Sequence, residues 1–236
     1  MQADGEGQNS LLAWRRERYP SRMTDTLARA TGIVRPATRA DVPELASVMS
    51  RAFFDAPQFE WLLPDPELRA RAAPVTFGAA LRFMHPVDRG AEVFVEGDTI
   101  RGGAAWMPPG RWRASAWQQL RAAPALIRGL GLRQLGEYGK RGQALEAALH
   151  AAHPSEPHWY LAILGTDPDV QAQGVGSALM RSGAQRSDRE GAAAYLECLE
   201  VHIPYYERFG FAVTAAIAMP EGAPLQFGMW REGRSP

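Results

Sequence analysis

Leu164-Gly165-Thr166-Asp167-Pro168-Asp169-Val170-Gln171-Ala172-Gln173-Gly174-Val175-Gly176-Ser177-Ala178-Leu179 is the stretch from which the fold is read. The apolar run Trp159–Thr166 predicts a buried strand, and helical spacing predicts a helix over Gly174–Gly191. Between them lie a proline-containing loop and a glycine-rich turn that opens into the helix. The first N–H groups of a helix have no intrahelical acceptor, and that end carries about half a positive charge. Glycine lets the backbone approach a ligand oxygen closely. A diphosphate fits such a turn without a lysine. Two other readings stand beside this one. Gly174 and Gly176 would serve equally to shape a strand-to-helix connection. Gly174-x-Gly176-x-x-Leu179, with Glu197 about 20 residues on, partly mimics a dinucleotide fingerprint. Against the dinucleotide reading, Leu179 replaces the third glycine and Gln171 lies six positions after Gly165. No strand–helix–strand series follows either.

Working outward, Ile33–Pro36 reads as an edge strand, because proline is tolerated at sheet edges. Thr38 and Asp41 offer a cap to a helix carrying Leu45, Val48, Met49, Ala52 and Phe53 at helical spacing. Residues 67–85 predict another helix. Glu92–Glu96 and Ile100–Met107 read as a hairpin about the turn at Gly97 and Asp98. Residues 112–152 predict an insertion of two or three helices, punctuated by Pro124 and several glycines. After the central stretch, Ala193–Leu199 predicts a strand, Ile203–Phe209 a short helix, and Phe211–Met219 with Leu225–Trp230 a final pair of strands. This order implies an α/β fold on a mixed sheet. Residues 1–31 read as an arm, partly disordered or a short helix, and 32–236 as one domain.

Cations and anions balance at 26 each, so no global basic field exists to hold nucleic acid. No apolar run is long enough to span a membrane. The polar start Met1–Ser10 lacks the features of a secretory leader, and the single cysteine, Cys198, fits a reducing compartment; a cytoplasmic location is expected. Cys198 reads as an inert strand thiol, with a covalent acetyl-enzyme as the alternative. His150, His153 and His158 cluster in sequence, but no cysteine or HExxH pattern accompanies them. They are expected to be solvated loop residues, with no metal. Phe53, Phe54, Phe59, Trp61, Trp106, Trp112 and Trp117 divide between core and an apolar acceptor pocket.

Gln171-x-x-Gly174-x-Gly176 after a strand resembles the acetyl-CoA signature of the GNAT N-acetyltransferases, (Arg/Gln)-x-x-Gly-x-(Gly/Ala). A second segment at the family's spacing is also similar: Leu196-Glu197-Cys198, followed by Ile203-Pro204-Tyr205-Tyr206-Glu207-Arg208-Phe209-Gly210-Phe211. Val34–Pro43, Glu156–Leu161 and Pro220-Glu221-Gly222 resemble the puromycin N-acetyltransferase subgroup. The resemblance covers roughly residues 33–232 and is loose over about 60–150. It implies a twisted sheet splayed where two parallel strands separate, with acetyl-CoA in the cleft. The backbone of Leu164, Gly165 and Thr166 would pair with the pantetheine arm. The N–H groups of Gln171, Ala172, Gln173, Gly174, Val175, Gly176 and Ser177 would hold the diphosphate.

Tyr206 is the implied general acid to the leaving thiolate, with core packing as the alternative. Glu197 is placed to accept the amine proton, directly or through water, or to serve as a structural hydrogen-bond partner. His202 stands where relatives carry Asn, in a loop one residue shorter; it would contact pantetheine, act as a base, or be idle. The function implied is transfer of an acetyl group from acetyl-CoA to a primary amine of a small molecule, in a ternary complex, by a monomer or homodimer. The alternative is a catalytically weak acyl-CoA-binding sensor or interaction module.

Overall fold

The computed structural model describes residues 31–234. Apart from Thr31, the expected N-terminal arm lies outside them. Seven strands form one open mixed sheet: β1 Ile33–Pro36, β2 Glu92–Glu96, β3 Thr99–Met107, β4 His158–Thr166, β5 Ala193–Cys198, β6 Ala212–Ile217 and β7 Gln226–Arg231. Their spatial order is β1-β2-β3-β4-β5-β7-β6. Neighbours are antiparallel except β4 and β5, which run parallel. The edge position expected for Ile33–Pro36 is observed. Among the described residues seven helices accompany the sheet: α1 Val42–Ala52, α2 Pro57–Leu62, α3 Pro66–Ala79, α4 Ala116–Leu130, α5 Leu132–Ala152, α6 Val175–Arg189 and α7 Ile203–Glu207.

The capping signal before α1 is used. The Asp41 carboxylate accepts from the Thr38 N–H at 2.7 Å and the Thr38 hydroxyl at 2.9 Å. Arg35 grips the same carboxylate with two nitrogens, at 2.8 and 2.7 Å, and so ties β1 to the start of α1.

The insertion is two helices, broken at Gly131, which sits at φ +77°. Pro124 does not interrupt α4 as expected. A proline inside a helix frees the carbonyl four residues back; here both Pro124 and Leu120 are exposed, so that carbonyl is not left in a dry interior. The short α2 is the one helix that the hydrophobic pattern left unannounced.

Each face of the sheet has its own core. On one side α6 buries Val175, Leu179 and Met180 against Trp106, Trp159, Leu161, Ala194 and Leu196. On the other, α1 packs Leu45, Val48 and Met49 against Val93, Val95, Ile100 and Ala105. A third cluster joins Phe59, Leu68, Ala72 and Leu130 under α2, α3 and α4.

Two irregularities shape the centre. Along β3, Ala105 pairs with Ile163 but Trp106 pairs with Leu161, so Ala162 is an extra residue in β4. Such a bulge bends its strand and reverses the alternation beyond it. Leu161 and Leu164 accordingly both face α6, while Ile163 turns to the α1 side. The second irregularity is in the parallel pair. β4 and β5 are matched from His158↔Ala193 to Leu161↔Leu196 and no further. Past that point β4 continues along β3 alone, and β5 continues along β7 alone.

Helix α6 lies close to the sheet because Gly183 has no side chain. A Cβ there would sit 2.4 Å from the indole of Trp106, which is 1% exposed. Gly183→Ala should therefore destabilise the fold by about 1–2 kcal/mol, despite Ala's better helix propensity. Urea unfolding measures this, and a stabilised variant would show that the ring yields freely.

Candidate active site

The end of β4 is pinned before the chain turns into α6. The Asp167 N–H donates to the Arg101 carbonyl at 2.8 Å. The buried Asp167 carboxylate pairs with Arg51 of α1. It also caps the turn Pro168–Val170. Next come two left-handed residues, Ala172 at φ +63° and Gly174 at φ +93°. The Gln171 N–H reaches the Pro168 carbonyl at 3.4 Å and the Gln173 N–H reaches the Val170 carbonyl at 3.3 Å. The N–H groups of Ala172, Gly174, Val175, Gly176 and Ser177 have no acceptor among the described residues. The first intrahelical bond at this end is from Ala178 to the Gly174 carbonyl, at 2.9 Å. Gln171, Ala172 and Gly174 are exposed, so the free donors line an open turn.

Thr166 and α7 border that turn. A Cβ on Gly176 would lie 2.9 Å from the Tyr205 hydroxyl and 3.3 Å from the Thr166 hydroxyl. The Tyr205 hydroxyl is buried without a partner. Leu164, Gly165 and Thr166 run from the split to this notch and pair with Ala104, Gly103 and Gly102 on their β3 side only. The residues expected at the phosphates and along the strand edge are thus contiguous. His202 is exposed, in the turn Glu200–His202 that leads into α7.

Tyr206 packs against the α6-side core, 6.3 Å from the Phe211 ring between centroids. Burial, with Tyr205 and Cys198 adding to it, raises its phenol well above the usual value, so it keeps its proton at neutral pH. Cys198 is buried with its thiol 3.5 Å from the Met229 sulfur. Burial, then the Glu197 charge, pushes that thiol up to about 12, and a thiolate nucleophile is disfavoured there.

Glu197 is the first residue of β5 beyond the last pair with β4, and it points to the other face. That face is covered by the end of α5, and here an expectation fails. His150, His153 and His158 are not solvated loop residues. The His153 side chain is 1% exposed, and His158 is buried at the start of β4. Pro154 and Pro157 turn the chain so that the C-terminus of α5 folds down over β4 and β5. His153 Nδ1 lies 3.5 Å from Glu197 Oε1, and its ring stacks on Trp112 at 3.5 Å between centroids. The rings of Tyr160 and Tyr195 meet His153 edge-on, at 5.0 and 4.9 Å. Burial, then the Glu197 charge, raises both phenols. The available signal was the strand period: His158-x-Tyr160 and Tyr195-x-Glu197 alternate onto one face. Nothing local showed that His153 would join them.

A mixed sheet that parts at its only parallel pair, beside a helix start whose amides are free, is the architecture of the GNAT acyltransferases. The Acetyltransferase (GNAT) family model matches residues 113–211, which hold the insertion, the split strands, the amide turn and α7. Residues 113–211 are thus similar to the GNAT acetyltransferase family, the fold agrees, and together they support an acyltransferase. Among solved structures it is similar to the histone acetyltransferase HPA2 and related acetyltransferase from Corynebacterium glutamicum. The two are 26% identical over 87% of this chain and 98% of that one, with a TM-score of 0.66. An N-acetyltransferase from Staphylococcus aureus is 12% identical over 84% of this chain and 99% of that one, with a TM-score of 0.56. The ribosomal-protein-S18-alanine N-acetyltransferase from Escherichia coli is 14% identical over 87% and 96%, with a TM-score of 0.50. At such identities the last two speak to the fold alone.

No atom lies within 4 Å of where a Cβ on Gly174 would be, so Gly174→Ala tests backbone conformation without a clash. It should lower stability by about 1 kcal/mol, the cost of a left-handed Ala. Chemical denaturation measures it; an unchanged midpoint would mean that the turn relaxes at no cost.

Proposed function

We propose that the protein transfers the acetyl group of acetyl-CoA to a primary amine of a small molecule, by direct attack in a ternary complex. The observation that carries this reading is the contact of two features: β4 and β5 stop pairing at Leu161 and Leu196, and five unpartnered amides follow where β4 ends. A diphosphate suits these residues. The turn is open, no carboxylate lies within 171–178, and the donors sit at a helix N-terminus. The free edge of Leu164–Thr166 would take the pantetheine arm as an added strand. When bound, acetyl-CoA supplies the activated acyl group.

Two residues then have roles. Tyr206, kept protonated by its burial, donates to the departing sulfur. Glu197, at the lip of the split, accepts the proton of the amine. His202 has the weakest claim among the expected site residues: it lies on an exposed turn, and burial of its imidazole lowers its affinity for a proton. The segments Val34–Pro43, Glu156–Leu161 and Pro220-Glu221-Gly222 support membership of the puromycin N-acetyltransferase-like subgroup. The cytoplasmic location and the extent of the domain, 32–236, belong to the same proposal.

Calorimetry with acetyl-CoA and free-thiol release over a panel of amines provide the test. Gly176→Val should weaken acetyl-CoA binding at least about tenfold, because its side chain enters the notch at Tyr205 and Thr166. Tyr206→Phe should keep binding and lose about 10²-fold in turnover. Binding with no turnover on any amine would replace the enzyme with an acyl-CoA-binding module. Full turnover of Tyr206→Phe would remove that residue's role and leave the fold intact.

A further inference from the structure

We propose that Glu197 and His153 act as one proton-accepting pair whose tautomer His158 fixes, so that the helical insertion contributes to deprotonating the acceptor amine. This rests on the acetyl-transfer reading above and names the base for it.

The tautomers follow from a chain of contacts. His158 Nδ1 lies 2.6 Å from the Glu156 carbonyl, which only accepts, so Nδ1 carries a hydrogen. Burial pushes the His158 imidazole below its usual value, so the ring is neutral and its Nε2 is a lone pair. His153 Nε2, 3.0 Å away, must donate to it. A neutral His153 then turns the bare lone pair of Nδ1 toward Glu197 Oε1 at 3.5 Å. That oxygen is buried and makes no close hydrogen bond, while the Tyr160 and Tyr195 hydroxyls also face the Glu197 carboxylate. With the Nδ1 and Oε1 lone pairs opposed, a proton placed between them joins the two groups.

The groups facing His153 are Glu197 and Tyr195 from β5, and His158 and Tyr160 from β4. From the insertion come Trp112 and, on its far side, His150, with Arg113 over the Trp112 ring. Glu197 stands at the split and meets the amine; His153 acts through it and is a positioning residue. In the transfer, the amine nitrogen bonds to the acetyl carbon and gives one proton to the pair. The carbon–sulfur bond breaks, and the sulfur takes a proton from Tyr206. The pair's proton then restores Tyr206 through solvent. Turnover requires the pair to start empty, so its filling defines the acid limb of the rate profile.

The experiment compares kcat/KM against pH for the full-length protein, His153→Phe and His153→Asn. Removing the imidazole should displace the acid limb of the profile, because the amine's proton then rests on Glu197 alone. It should reduce kcat about 10- to 100-fold and leave the KM for acetyl-CoA within about twofold. A residue that only packs would lower activity at every pH without moving the limb. Nitrogen NMR on histidine-labelled wild type reads the tautomers without any turnover. In alkaline solution His158 should be protonated at Nδ1 and His153 at Nε2. His153 protonated at Nδ1 overturns the pair whatever the kinetics show. An acid limb unmoved in both variants overturns its use as the base. Wild type that binds acetyl-CoA and acetylates no amine overturns the transfer reading, and the catalytic use of the pair with it.

Discussion

Backbone N–H and C=O groups demand partners, and the edges of β4 and β5 beyond Leu161 and Leu196 lack them from each other. The rest of the molecule is arranged around that interrupted ladder. The extra residue Ala162 bends β4 away at the point of parting. Arg101 and Arg51 hold its far end through Asp167, so the strand cannot swing back to re-pair. On the α6 side Gly183 admits Trp106, which seats the helix close to the sheet and fixes where its first amides lie. On the opposite face α5 covers the polar side chains at the split.

The site is therefore two-sided. The α6 face carries backbone donors, two tyrosines and a thiol that stays protonated. The α5 face carries a carboxylate and two imidazoles inside a wall of aromatic rings. A buried polar cluster of this kind is costly unless its members satisfy one another. The alternation of donor and acceptor from the Glu156 carbonyl through His158 to His153 achieves this at all but the last step. The unsatisfied position falls on Glu197, where the two parallel strands cease to touch.

Much of this was readable from local chemistry. The apolar run before Gly174, the helix that opens after it and the edge strand ending in Pro36 were each legible from their residues, and the fold contains all three. The tyrosine after β5 stood out because a second motif lay at a fitting distance. What escaped were features set by packing between distant segments. Ala162 has nothing in its side chain to mark a bulge; the register of β3 against β4 creates it. Pro124 looked like a stop, yet solvent at Leu120 tolerates the lost hydrogen bond. The histidines looked idle because their burial depends on where α5 ends relative to β4, which follows it directly, and to β5, about 40 positions further along the chain.

Ala172 holds a left-handed conformation that a glycine would adopt more easily. A glycine there would also give the free turn many shapes to abandon whenever an anion arrives. Alanine accepts a standing strain of about 1 kcal/mol in exchange for a narrower choice of shapes. The turn thus resembles a latch already set in its closed position: recognition needs little rearrangement of the main chain, and much of the entropic penalty falls during folding rather than at encounter.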